Sequence, residues 1–277
     1  MSGPGKIVIA GDWHANSRWA AHVIRCAAAA LADEPVKYIL QLGDFGFWPR
    51  RGSSYLADVE ETCAEHGVIV MWIDGNHEDH DTLITLHDMH RSAMDFDDDQ
   101  PMSLPKTGNL IHLPRGTRWT WHNRTWVALG GAVSVDREHR HEGRSWFPQE
   151  AITAEQAQKV IADGSADVML THDCPSGVEL HLPPLPAEWR SQAKPAQAHR
   201  ELLQQVVDAV QPSHLFHGHY HLAYSQYVAH RPHEDHGVCS MCKVTGLGMD
   251  GQQLNWVVCD TRTMQVEPAQ LPNDSQG

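Results

Sequence analysis

Five short polar clusters hold the residues with chemical potential: GDWHAN (11–16), GDFGFW (43–48), GNHED (75–79), THD (171–173) and GHYH (218–221). Each follows an apolar run, and together they offer Asp12, His14, Asp44, Asn76, His77, His172, His219 and His221. This is an oxygen and imidazole donor set without thiolate, which suits Mn²⁺, Fe or Zn²⁺ rather than an iron–sulfur centre. Two cations held side by side need a bridging carboxylate, which a central aspartate can supply. Taken singly the clusters are ordinary, since Gly-Asp at a strand end is usually a turn and an isolated HxH pair is usually surface. All five in this order, each at a strand end, form the pattern a metal centre requires. Glycine in these turns lets the backbone bend tightly enough for the side chains to converge. The 21 histidines of the chain fit the same reading.

The elements that must position these groups read as repeated βα units. Strand KIVIAGD (6–12) precedes a helix over about 17–32, strand YILQLGD (38–44) precedes a helix at 55–66, and strand VIVMWIDGNH (68–77) follows. Asp12, Asp44 and Asn76 are 32 residues apart at each step, the length of one βαβ unit. They therefore share the carboxyl-terminal edge of one parallel sheet, where α/β proteins place their ligands. Residues 117–131 alternate around His122–Asn123–Arg124 as a hairpin, and 153–163 reads as a helix capped by Thr153. The runs VMLTHD (168–173) and HLFHGHYH (214–221), with KVTGLGMDG and LNWVVCDTRTMQV, make a second strand set around a helix near 198–210. No linker divides the chain. One domain is expected over 1–265, with a disordered tail at 266–277.

Composition bounds the partners. Charged residues at 20% and 277 residues in all describe a soluble globular chain. There is no apolar stretch of about 18–20 residues for a membrane span, and the amino terminus lacks a signal-peptide pattern, so a cytoplasmic protein is expected. Six cysteines in a chain this long read as reduced thiols. The net charge of −14 opposes a long nucleic-acid duplex as partner, but not a small phosphorylated substrate, because bound metals reverse the local field.

At this point the sequence resembles the calcineurin-like metallophosphoesterases, whose pattern is D-x-H, G-D, G-N-H-[DE], H and G-H-x-H, over residues 7–221. The resemblance implies an α/β fold of two packed mixed β-sheets flanked by helices, a four-layer αββα sandwich. It implies Asp12, His14 and His221 on one metal, Asn76, His172 and His219 on the other, and Asp44 as the bridge. His77 would be the catalytic imidazole that protonates the leaving oxygen while a metal-activated hydroxide attacks phosphorus. Two divalent ions are implied, Mn²⁺ first, with Fe or Zn²⁺ as alternatives.

Departures from relatives narrow the expectation. Serine/threonine phosphatases carry GDxVDRG and RGNHE; here Phe47 stands where they have the aspartate that orients the catalytic histidine, and Asp74 where they have the arginine. Phosphoproteins are thereby disfavoured, and Asp74 and Asp79 are the candidates for orienting His77. GDFGFW, GGAVSVD and RSWFP resemble a bacterial and phage branch acting on phosphodiesters, 2′,3′-cyclic nucleotides included. The expected function is thus hydrolysis of small phosphodiesters, with a phosphomonoesterase, a nuclease or a non-catalytic scaffold as alternatives. Six arginines fall between 115 and 144; of these Arg137, Arg140 and Arg144 are placed to reach the phosphate from the loop after GGAVSVD. Trp48 and Trp146 are candidates to stack a base, Trp119, Trp121 and Trp126 are packing, and Cys174 is a buried thiol. His230, His233, His236, Cys239 and Cys242 would suit a structural zinc, but one CxxC without a second pair of fixed spacing reads as an exposed hairpin loop.

Overall fold

A computed structural model describes residues 3–51, 54–94, 99–231 and 240–268. Two mixed sheets pack face to face. The first contains β1 (Lys6–Ala10), β2 (Lys37–Gln41), β3 (Val68–Trp72), β4 (Met102–Ser103), β5 (Leu110–His112), β12 (Trp256–Asp260) and β13 (Val266–Pro268), in the order β13-β12-β1-β2-β3-β5-β4. Its four strands β1, β2, β3 and β5 run parallel. The second contains β6 (Arg118–Trp121), β7 (Arg124–Leu129), β8 (Val168–Thr171), β9 (His214–His217), β10 (Tyr224–Ala229) and β11 (Met241–Gly246), in the order β10-β11-β9-β8-β7-β6. Here β7, β8, β9 and β11 are the parallel set.

The continuous apolar runs have the physical reason expected of strands covered on both sides. In β1, Ile7 and Ile9 enter the interior between the sheets with Leu40, Trp126, Leu170 and Phe216. Val8 and Ala10 face the other way, into a core under α1 (Ser17–Ala30), α2 (Tyr55–His66) and α3 (His80–Met94). A third core lies between the second sheet and α4 (Ala154–Ala162) with α5 (Ala193–Val210). The result is the four-layer αββα sandwich expected.

Local signals held where they rest on local chemistry. Thr153 caps α4 in a reciprocal box with Gln156, and His122 and Asn123, at φ 48° and 62°, turn the β6–β7 hairpin. The last helix begins earlier than its apolar pattern indicated, at Ala193. The boundary of the tail also moves: Val266–Pro268, placed by sequence in a disordered tail, pairs antiparallel with β12 as β13. Residues 269–277 lie outside the described residues. No helix among the described residues is long and apolar enough to cross a membrane.

Candidate metal centre

The polar clusters converge where the carboxyl ends of the two sheets meet. Asp12, Asp44 and Asn76 follow β1, β2 and β3 of the first sheet, while His172, His219 and His221 follow β8 and β9 of the second. The two sets are tied across the gap. His172 Nδ1 donates to Leu42 O at 2.6 Å, and the His219 amide donates to Asp12 Oδ1 at 3.1 Å.

Asp44 lies in the middle. Its Oδ2 is 3.5 Å from His14 Nε2 and its Oδ1 is 3.4 Å from His172 Nε2. On one side, His221 Nε2 and His14 Nε2 lie 3.1 and 3.8 Å from Asp12 Oδ2. On the other, Asn76 Oδ1 is 3.1 Å from His172 Nε2, and the His172 and His219 rings are 5.1 Å apart. Two overlapping donor groups result, Asp12–His14–His221 and Asp12–Asp44–His172, each compact enough to hold one ion.

The residues fit a metal on this structure's own terms. Asp12 Oδ2 is fully buried and has no hydrogen-bond partner among the described residues, an arrangement that costs free energy unless a cation completes it. Burial opposes charge on His14 and His172, yet the surrounding carboxylates push them up, His14 to about 9 and His172 to about 10. Asp44 is held well below the usual carboxylate range against the penalty of burial, by His77, His172 and His14. The centre is built for positive charge. Its main chain is strained to match: of ten non-glycine residues at positive φ among the described residues, four are His14, Asp44, His219 and His221. Such strain persists only where the surroundings over-determine it.

Supporting groups fix the donor atoms. Asn76 Nδ2 donates to Ser134 Oγ at 3.0 Å, which turns Asn76 Oδ1 into the site. Ser134 Oγ in turn donates to buried Glu150 at 2.6 Å. Glu78, pushed up to about 8 by burial and by Asp44, accepts from the amides of Gly46 and Gly75 at 3.2 and 2.8 Å and joins the two turns. Asp173 receives His199 Nδ1 at 2.6 Å and Tyr220 OH at 3.0 Å, so α5 anchors the loop bearing His219 and His221. Asp250 accepts from His14 Nδ1 at 2.8 Å. Of these, Ser134 lies inside GGAVSVD, so that motif carried a signal; Asp250 had none.

His77 lies beside the donors, its amide bonded to Asp44 Oδ1 at 2.8 Å and its Nε2 4.0 Å from Asp44 Oδ2. Burial and the Arg140 guanidinium lower its pKa against the pull of Asp44. Neither Asp74 nor Asp79 orients it. Asp74 is buried and paired with Arg115 at 2.6 Å, and Asp79 is paired with Arg50. Instead Arg140 Nη2 donates to His77 Nε2 at 2.7 Å and to Asp136 Oδ2 at 2.8 Å. Arg140 is the one of the three loop arginines that the structure brings to the centre: Arg137 lies over the Trp146 ring at 3.9 Å, and Arg144 is exposed.

Trp146 is buried under Arg137 and Trp48 carries Arg51 at 3.7 Å, so each candidate stacking ring already has a guanidinium against it. Cys174 is buried, its thiol pushed up to about 12 by burial. The exposed-loop reading of the His/Cys repeat is wrong for two of its members. His230 is buried with Nε2 bonded to Pro212 O at 2.9 Å, and Cys242 is core on β11. His233, His236 and Cys239 lie outside the described residues.

No curated protein matches by sequence. Among solved structures, TT1561 of Thermus thermophilus is similar in fold, with TM-score 0.53 and 11% identity over 98% of this chain and 100% of that one. The sulfate thiohydrolase SoxB of Thermus thermophilus, in complex with glycerol, aligns with TM-score 0.42 and 14% identity over 91% of this chain and 40% of that one. The family model for calcineurin-like phosphoesterases matches residues 5–223. Its span takes in all five clusters, and the chain belongs to the calcineurin-like phosphoesterase family as a metal-dependent phosphoesterase.

Proposed function

We propose that this phosphoesterase is a dinuclear phosphodiesterase of small diesters, 2′,3′-cyclic nucleotides among them. In this reading Asp12, His14 and His221 hold one cation, Asn76, His172 and His219 hold the other, and Asp44 bridges. Mn²⁺ is the first candidate that the family resemblance implies, with Fe or Zn²⁺ as alternatives that the same oxygen and imidazole donors suit. When bound, the pair supplies Lewis acidity and lowers the pKa of the attacking water. His77 delivers the proton that the leaving oxygen needs, and Arg140 binds a phosphoryl oxygen, a better acceptor than an imidazole nitrogen.

The observation that carries the diester preference is the state of the positive charge beside the metals. Arg140 is the guanidinium at His77, and Asp136 already neutralises part of it at 2.8 Å. The position that brings an arginine to the phosphate in serine/threonine phosphatases here holds Asp74, whose charge Arg115 absorbs inside the protein. Asp74 thus withholds a cation but does not itself repel the substrate. A monoanionic diester asks less of such a site than a dianionic monoester. His14, His77 and His221 have side chains 27%, 36% and 38% exposed, so the approach is open on their side. A net charge of −14 disfavours a long duplex. The reading places the protein in the cytoplasm, where its buried cysteines would remain thiols.

The test compares kcat/KM on bis(p-nitrophenyl) phosphate and p-nitrophenyl phosphate under the same Mn²⁺ and pH, with 2′,3′-cyclic AMP as a third substrate. The diester should be faster, and Arg140→Ala should raise KM more than it lowers kcat. A monoester faster by about tenfold, roughly 1.4 kcal/mol in the barrier, replaces the reading with a phosphomonoesterase.

A further inference from the structure

Asp250 sits on the loop 247–255 between β11 and β12, outside the stretch 5–223 that the family model matches. Its Oδ1 accepts from His14 Nδ1 at 2.8 Å and its Oδ2 from Asn16 Nδ2 at 2.7 Å. With Nδ1–H committed to Asp250, His14 has one lone pair left, on Nε2. That is the nitrogen turned toward Asp44 Oδ2 at 3.5 Å and Asp12 Oδ2 at 3.8 Å.

The loop is in no position to drift. Buried Asn255 donates from Nδ2 to Asp12 O at 3.1 Å and to Gly248 O at 2.8 Å, and its Oδ1 accepts from Trp19 Nε1 at 2.7 Å. The Gly11 amide donates to Asn255 O at 2.7 Å. Asp250 therefore hangs from a segment stitched to the end of β1 and the start of α1. It meets His14 where the main chain is least comfortable, with His14 and Ala15 at φ 47° and 58°. Two successive left-handed residues that are not glycine need outside support. Asp250 provides it, bonded to the side chains of His14 and of Asn16, the residue that follows the pair.

We propose that Asp250 is a positioning residue of the metal centre, fixing the tautomer and ring orientation of His14 and so setting the affinity of the more exposed cation site, Asp12–His14–His221. The inference rests on the dinuclear reading above. A carboxylate behind a ligating imidazole holds the ring and raises its basicity, and loss of such a partner weakens metal binding about 10–100-fold. The effect should be confined to one site, because His172 is held independently by Leu42 O and Asn76 by Ser134.

The experiment titrates Mn²⁺ alone into metal-stripped wild type, Asp250→Ala and Asp250→Asn by calorimetry, with elemental analysis after dialysis and Tm of the stripped proteins. Wild type should bind two equivalents. Asp250→Ala should keep one at wild-type affinity and bind the other about 10–100-fold more weakly. Asp250→Asn, which leaves one acceptor for both His14 and Asn16, should fall between. The stripped Tm of Asp250→Ala should fall modestly, since the side chain is only 20% exposed and bonds His14 and Asn16. Two affinities kept, both weakened alike, or a lowered stripped Tm with both affinities kept each overturns the proposal. Wild type that takes up no Mn²⁺ overturns the dinuclear reading and this inference with it, so the two failures are distinct.

Discussion

Arg115→Ala isolates the interior ion pair that replaces a substrate-facing arginine. Asp74 and Arg115 have side chains only 4% and 9% exposed, and their contacts are 2.6 Å at Nη2 and 3.0 Å at Nε. The same guanidinium donates to the carbonyls of Gln149, Glu150 and Ala151 and to Gln156 Oε1, so it stitches the 149–151 turn to the strand before Asn76. Among the described residues, its removal leaves Asp74 with His112 at 3.6 Å and takes the donor from the carbonyls of Gln149 and Ala151, while Glu150 O keeps the Ala132 amide. Removing one partner of a buried pair costs about 3–5 kcal/mol, because the other charge stays behind uncompensated. Asp74→Asn should cost less, about 1–3 kcal/mol, since Arg115 keeps its carbonyl acceptors. The double variant should then be more stable than Arg115→Ala alone, because it no longer buries a bare carboxylate. Urea denaturation of all four proteins at fixed Mn²⁺ gives the cycle. A loss below about 1 kcal/mol for Arg115→Ala, or a double variant no more stable than that single one, refutes the reasoning.

Gly75→Ala should release metal and activity together. A Cβ there would run into Asp44 Oδ1 and the Asp44 amide, whereas one at Gly67 meets nothing within 4 Å. Gly67→Ala, at φ 63°, should therefore cost about 1 kcal/mol of strain and leave metal content intact, as elemental analysis would report. Chelation should lower Tm, since Asp12 and Asp44 are 0% and 1% exposed and lose the cations that compensate them. At metal concentrations near 100 times Kd the linkage is worth about 2.7 kcal/mol, or roughly 5–10 °C for a chain of this size. Equal Tm values in EDTA and in excess Mn²⁺ would contradict it.

Legibility in the sequence followed the range of the interaction. Asp12, Asp44 and Asn76 were found because a βαβ unit has a nearly constant length, which turns a tertiary alignment into a spacing of 32 residues. The Thr153 cap and the turn at His122–Asn123 were readable because caps and tight turns are set within four residues. The start of the tail was misplaced because the three residues of β13 are held by pairing with β12 and carry little pattern of their own.

By itself the sequence determined the donor types, their order, and their place at strand ends. Only the tertiary structure decided which partners they meet. Arg137, Arg140 and Arg144 looked alike, yet Arg137 lies on Trp146, Arg144 is exposed, and Arg140 reaches His77 across 63 positions, while Arg115 is spent inside the protein on Asp74. Asp74 was a candidate to orient His77 and is buried with a counter-ion instead. Asp250 reaches His14 across 236 positions. Periodicity and capping are local energies, legible residue by residue. The choice of a charge's partner depends on how two sheets pack, because burial in that packing is what makes an unpaired charge too costly to keep.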